Sequence, residues 1–331
     1  MSEPILAVER LKVHFPVRTR GRLWGGAKSL KAVEDISFEL ARGETLGIVG
    51  ESGCGKSTLG RAVLQLVKPT SGRIVWLGQD LGRLPRNEMR EKRRELQIVF
   101  QDPLASLDPR MTAGDIIAEP LIASGLGIGK EERRPRVVAM MEKVGLSPTL
   151  INRYPHEFSG GQCQRIGIAR AMIVEPKLVV CDEPVSSLDV SIRAQIVNLL
   201  KALQHDFGLS LLFISHDLSI VRHIANRILV LYLGRVMEIG ERDRIFDSPL
   251  HPYTKMLIDA VPEPDPLAPW HADRSLGMLG IRGELPSPID PPSGCVFRTR
   301  CPMATEICAE NIPALRRAQA NHSVACHHAL D

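Results

Sequence analysis

Gly50-Glu51-Ser52-Gly53-Cys54-Gly55-Lys56-Ser57 constrains this chain more than any other stretch. It fits G-x-x-x-x-G-K-[ST], a pattern whose chemistry needs one structural setting. The glycines let successive backbone N–H groups turn toward a common point, and a following helix adds its positive N-terminal end. Thr45-Leu46-Gly47-Ile48-Val49, just before, is an apolar run of the kind buried parallel strands show, and Leu59 to Leu66 reads as a helix. Strand, glycine loop and helix in that order open an α/β domain. In that setting Lys56 supplies a cation for the β/γ-phosphates of a nucleotide, and Ser57 offers a hydroxyl to Mg²⁺. Gly50, Ser52, Gly53, Gly55, Lys56, Ser57 and Thr58 are the expected cradle. A glycine turn that merely starts a helix is the simpler reading, and the strand and helix flanking the loop tell against it.

A cradle of this kind needs a carboxylate to hold the metal. Leu178-Val179-Val180-Cys181-Asp182-Glu183 is a short apolar run that ends in two of them. Asp182 suits Mg²⁺, and Glu183 suits a general base that polarises an attacking water. Alone, this stretch reads as an acidic strand-to-helix turn; the upstream cradle gives it a chemical partner.

Further strands are expected at Leu209 to Ile214 and Ile228 to Leu233, with helices at Ile192 to Gln204 and Leu218 to Ile224. Val33 to Leu40 alternates apolar and polar residues, as a half-buried strand does. Between Leu104 and Ile173 the chain is rich in Glu, Arg, Ala and Met and shows no strand pattern, which predicts an inserted helical subdomain. After Ala260, Pro262, Pro264, Pro266 and Pro269 mark a linker, and a second proline stretch runs from Pro286 to Pro292. The expected domains are residues 1–260 and a C-terminal extension, 261–331.

Bulk properties exclude several classes. Across 331 residues, 42 Lys plus Arg against 38 Asp plus Glu leave a formal charge of +4. That is too weak a field to point to nucleic acid. There is no basic-then-apolar N-terminal signal, and no apolar run of about 18 residues that would span a membrane. The expectation is a soluble chain whose membrane contact is peripheral.

Phe158-Ser159-Gly160-Gly161-Gln162 is a serine and two glycines opening a helix from Gln162 to Met172, a second candidate anion site. Gln101 in Val99-Phe100-Gln101-Asp102, the loop Ser186-Ser187-Leu188-Asp189, and His216 in Ile214-Ser215-His216-Asp217 complete an ordered set. In this order the chain resembles the ATP-binding-cassette ATPases. The resemblance implies an α/β fold: a P-loop NTPase (RecA-like) core with an antiparallel β part, an inserted helical subdomain and a short Cys-containing extension. It implies ATP as the nucleotide, and Ser57, Gln101 and Asp182 as Mg²⁺ ligands. Glu183, His216 and Gln101 become the catalytic residues. Ser159, Gly160, Gly161, Gln162 and Asp189 face a second cassette across a head-to-tail pair. With Glu183 and His216 both present, hydrolysis is expected rather than binding alone.

Arg153-Tyr154-Pro155-His156, His251-Pro252-Tyr253-Thr254 and Gly283-Glu284-Leu285-Pro286-Ser287-Pro288 narrow the resemblance to the dipeptide and oligopeptide importer branch, nearest the second ATPase of a dipeptide importer. That branch implies a heterodimer with another ATPase, two transmembrane permeases, an extracytoplasmic peptide-binding protein, and a place on the cytoplasmic face of the inner membrane. Nickel or sugar cargo is the alternative within transport. A soluble cassette ATPase acting on DNA or ribosomes is the alternative outside it. Cassettes also stack an aromatic ring on adenine: Phe15 is the candidate here and Trp24 the runner-up, while Arg18, Arg20, Arg22, Lys28 and Lys31 read as a solvated basic loop.

Seven cysteines are present, and Cys295, Cys301, Cys308 and Cys326 crowd into the tail. Without a secretory signal, free or metal-bound thiols are expected before disulfides. The spacing lacks a close C-x2-C pair, so metal and free thiol are nearly balanced on spacing alone. The branch resemblance implies an iron–sulfur centre, [4Fe–4S], on these four, with Zn²⁺ as the alternative, helped by His322, His327 and His328.

Overall fold

The computed structural model describes residues 3–17, 28–125, 128–261 and 284–329. Trp24, Arg18, Arg20, Arg22, the prolines from Pro262 to Pro269, and Gly283 lie outside the described residues. Packing divides the chain into two compact units. One comprises Met1–Leu6, Glu39–Thr45 and Val75–Ser215; the other comprises Ala7–Phe38, Leu46–Ile74 and His216–Asp331.

The first unit is organised around three parallel strands. Leu178–Asp182 lies in the middle, with Leu96–Val99 on one side and Ser210–Ile214 on the other. Leu178–Asp182 and Ser210–Ile214 are buried at every position, which is why their sequences are continuous apolar runs without alternation. Parallel pairing sends all three C-terminal ends to one edge, where Asp182 stands opposite Ile214 and Val99 opposite Cys181. That edge is where open α/β sheets place their chemistry. Between 104 and 173 the helices Ala113–Ala123, Lys130–Lys143 and Gly160–Met172 pack on one another over Ile116, Ile117, Leu121, Val137, Met141 and Ile166. Thr112 starts the first of them, its hydroxyl accepting the Asp115 N–H at 3.2 Å.

In the second unit Thr45–Val49 pairs in parallel with Arg227–Tyr232, and Arg227–Tyr232 pairs antiparallel with Arg235–Glu241. Leu233 and Gly234 join that hairpin with φ of 43° and 73°, the left-handed pair that a two-residue turn demands. The tail then continues the sheet: His322–Val324 pairs with Arg235–Glu241, and Arg316–Gln319 with His322–Val324. The seam is polar at its centre. Glu238 is fully buried and accepts from the backbone N–H groups of Leu250 (2.7 Å) and His251 (2.9 Å) and from Nε2 of His322 (2.6 Å). Three donors to one carboxylate are what make a buried charge tolerable.

Some boundaries differ from the sequence reading. The strand expected from Val33 spans Lys28–Leu40, and Asp35, at φ 60°, breaks its alternation so that Glu34 turns inward. There Glu34 meets Lys12 Nζ at 3.0 Å and His14 Nε2 at 2.8 Å. The helix expected from Leu59 starts at Lys56, because Gly55 completes the turn out of the loop. The helix after Asp189 covers Val190–Phe207, ending at Gly208 with φ 61°.

Candidate nucleotide site

In the second unit the glycine loop makes a closed turn. Gly55 caps the helix Lys56–Val63 at φ 107°, and a Cβ there would lie 2.0 Å from the Ala32 carbonyl. Gly50, at φ 150°, passes so close to Leu231 that a Cβ would meet its carbonyl at 2.1 Å. Only glycine fits either place. Lys56 is buried, and its Nζ donates to the carbonyls of Gly50 (2.7 Å) and Glu51 (2.9 Å), so the loop's own backbone holds the ammonium over the turn. Cys54 is also buried, and burial pushes its thiol up to about 11. It is a packing residue rather than a nucleophile. Ser52 and Gly53 are exposed, and Ser57 and Thr58 half-buried, so the cradle opens to solvent. Phe15, on the strand Leu6–Val17, is exposed. His216 is exposed, and Asp217 beside it caps the helix Leu218–Ile224 by accepting from the Ser219 N–H at 3.0 Å.

In the first unit the sheet edge carries the acids. Asp182 is buried at the end of its strand. Glu183 takes the left-handed region at φ 48°, uncommon for a residue with a side chain. It is held there from three sides. Its N–H donates to the Ile214 carbonyl at 3.0 Å, its carbonyl accepts from the Ser186 hydroxyl at 3.1 Å, and its Oε2 accepts from Gln101 Nε2 at 3.1 Å. Strain maintained by this many contacts is a mark of a working residue. Asp182, a buried carboxylate, offers the hard oxygen donor a divalent cation takes.

Ser159 is exposed and caps Gly160–Met172 with a capping box: it accepts the Gln162 N–H at 3.4 Å, and Gln162 Oε1 accepts the Ser159 N–H at 2.9 Å. Gly161 lets the helix start pass Ile192, where a Cβ would meet Cγ2 at 2.7 Å. Asp189 is exposed at the start of Val190–Phe207, and Val190 stands 80% exposed beside it.

Residues 33–186 match the ABC transporter family, and residues 237–308 match the C-terminal region of oligopeptide/dipeptide transporters. Over 323 residues the chain is 57% identical to OppF, the oligopeptide transport ATP-binding protein of Salmonella typhimurium, covering 97% of this chain and 95% of that one. The chain belongs to the ATP-binding-cassette ATPases of the oligopeptide importer family. OppF of Escherichia coli is 56% identical over the same shares of the two chains. A dimeric ATP-binding cassette solved in a post-hydrolysis state with ADP and Pi superimposes with a TM-score of 0.63, at 29% identity, over 72% of this chain and 98% of that one. Among the described residues, no helix of this cassette is long and apolar enough to cross a membrane.

The cassette's tail carries the four cysteines on which a metal centre is expected. Among the described residues, no three or more His, Cys, Asp or Glu side chains come together as a metal site. Burial raises the Cys295 and Cys326 thiols and pushes that of Cys301 up to about 11, and charge repulsion from the neighbouring tail cysteines raises all three further.

Two residues of the cassette's second unit escaped the sequence reading. Tyr253 was legible only as part of a branch motif, yet its hydroxyl accepts the backbone N–H of Glu51, inside the phosphate loop, at 3.0 Å. Arg300 carried no signal, yet its guanidinium pairs with the Glu51 carboxylate at 2.9 Å.

Proposed function

We propose that this chain hydrolyses ATP to drive uptake of oligopeptides through partner permeases, as a peripheral subunit on the cytoplasmic face of the cell membrane. The observation that carries the reading is the Gln101–Glu183 hydrogen bond in a chain whose phosphate loop is complete. In this reading the amides from Ser52 to Thr58 and the Lys56 ammonium bind the phosphates. Ser57, Gln101 and Asp182 hold Mg²⁺, which supplies charge to offset the phosphoryl oxygens when bound. Glu183 takes a proton from the attacking water, Gln101 orients Glu183, and His216 contacts the γ-phosphate. Phe15 stacks on adenine.

Ser159, Gly160, Gly161, Gln162 and Asp189 serve the site of a second cassette, so two ATP molecules lie between two chains. ATP favours the closed pair and hydrolysis releases it, because the nucleotide binds the two states with different affinity. The partner ATPase is a different chain, and an extracytoplasmic peptide-binding protein delivers the cargo. Cargo choice lies with that protein and the permeases, so nickel or a sugar stays the alternative substrate class. The iron–sulfur centre rests on the branch resemblance alone, and no step depends on it. ATP-driven uptake of a labelled oligopeptide into vesicles carrying the permeases tests the whole reading. Uptake that is lost without this chain supports it, and uptake that persists overturns it.

A further inference from the structure

Glu51, the second residue of the phosphate loop, is gripped from outside the loop at two points. One nitrogen of Arg300, Nη1, bridges both of its carboxylate oxygens at 2.9 and 3.0 Å, while its backbone N–H donates to the Tyr253 hydroxyl at 3.0 Å. The Glu51 carbonyl in turn accepts from Lys56 Nζ at 2.9 Å. A tail arginine is therefore linked, through one residue, to the lysine that faces the phosphates. Arg300 is 7% exposed and is itself fixed: Nη1 also donates to the Tyr232 hydroxyl at 3.2 Å, and the guanidinium lies 5.7 Å from the centre of that ring. Tyr232 in turn packs edge to face on Tyr253 (4.8 Å) and Phe297 (5.2 Å), whose own rings meet tilted at 5.2 Å.

The arrangement addresses an electrostatic problem. A carboxylate inside a loop that receives a polyanion opposes its ligand, and a cation in contact with it cancels that opposition. We propose that Arg300 is a positioning residue for nucleotide binding. It neutralises Glu51 and fixes the peptide unit that places Lys56, so that ATP affinity depends on the tail being seated against the loop. The proposal rests on the reading of this loop as an ATP site. It gives the tail a role in the ATPase that needs no metal.

The test is ATP titration and steady-state hydrolysis of the full chain in its assembled transporter, for wild type, Arg300→Ala, Arg300→Lys, Glu51→Gln and the Arg300→Ala/Glu51→Gln double variant. Arg300→Ala raises Kd and KM for ATP about ten-fold, as expected for a partly buried charge-assisted contact, with kcat at saturating ATP nearly unchanged. Arg300→Lys recovers part of the affinity, and the double variant binds no more weakly than Arg300→Ala. If Arg300→Ala does not fold, Arg300→Lys combined with Glu51→Gln shows the same non-additivity. A fall in melting temperature or kcat with KM unchanged means that Arg300 only glues the tail down, and overturns the proposal. Additive losses in the double variant overturn it as well. Wild-type chain that binds no ATP sinks the underlying site reading instead, and the first titration reveals it.

Discussion

Gln101 donates a hydrogen bond from Nε2 to Oε2 of Glu183 at 3.1 Å, and so aims a carboxylate whose own backbone is strained at φ 48°. A general base must be held in line with its water, and this contact reaches Glu183 from a different loop of the same unit. Glu183→Gln keeps the shape and the hydrogen bond but loses the base. Turnover is expected to fall by about 10²-fold or more, the ordinary contribution of a general base. ATP affinity is expected to hold within about three-fold, since less than 1 kcal/mol of binding is at stake. Hydrolysis and ATP titration on the same preparation check both halves, and retained turnover removes Glu183 from the role.

Gly55→Ala tests the cradle through its backbone. The new Cβ meets the Ala32 carbonyl at 2.0 Å, and the residue sits at φ 107°. The backbone strain alone costs about 1–3 kcal/mol. The expected outcome is a lower melting temperature and loss of ATP binding; unaltered ATP affinity contradicts the account of the loop.

His251 makes stability depend on pH. Its Nδ1 accepts the Tyr253 N–H at 3.0 Å, which requires a lone pair there, and burial holds its pKa down from 6.5 to about 4. Below about 6.5 the unfolded chain takes a proton that the folded chain refuses. This contribution is therefore complete above that pH and is lost as pH falls toward 4. The drop, 6.5 minus about 4, corresponds to about 3 kcal/mol. Denaturant midpoints between pH 7.5 and 4.5 measure it. His251→Gln should flatten the slope in this window, and an unchanged slope assigns it to other groups.

Much of the site was legible because its signals are local. A glycine loop between strand and helix needs φ values only glycine takes freely, so Gly50 to Ser57 announces itself within eight residues. The buried parallel strands were readable for the same reason, since both faces covered means an unbroken apolar run. What escaped is long-range. Glu51 and Arg300 are 249 positions apart, and no periodicity connects them. Glu238 carried no local signal of burial, since its partner His322 lies 84 positions later. Asp35 shows the limit of alternation, since one left-handed residue turned Glu34 inward.

The four tail cysteines show a different limit, because spacing does not decide whether thiols converge. With Cys295, Cys301 and Cys326 raised by burial, metal binding has to displace protons that the folded tail retains. Protein purified without oxygen is expected to be brown and to carry about four irons per chain by elemental analysis, the cluster the branch resemblance implies. Zinc in its place selects the alternative metal, and protein lacking both iron and the brown chromophore removes the cluster.

The central claim is that this cassette works in a peptide importer, and co-purification tests it most directly. A tag on this chain, with gentle extraction of membranes and mass spectrometry of what comes with it, reads out its partners. The account predicts two permeases, a second cassette ATPase and a peptide-binding protein. Ribosomal or DNA-repair proteins with no permease would contradict it, while leaving the ATPase chemistry of Glu183 and Lys56 intact.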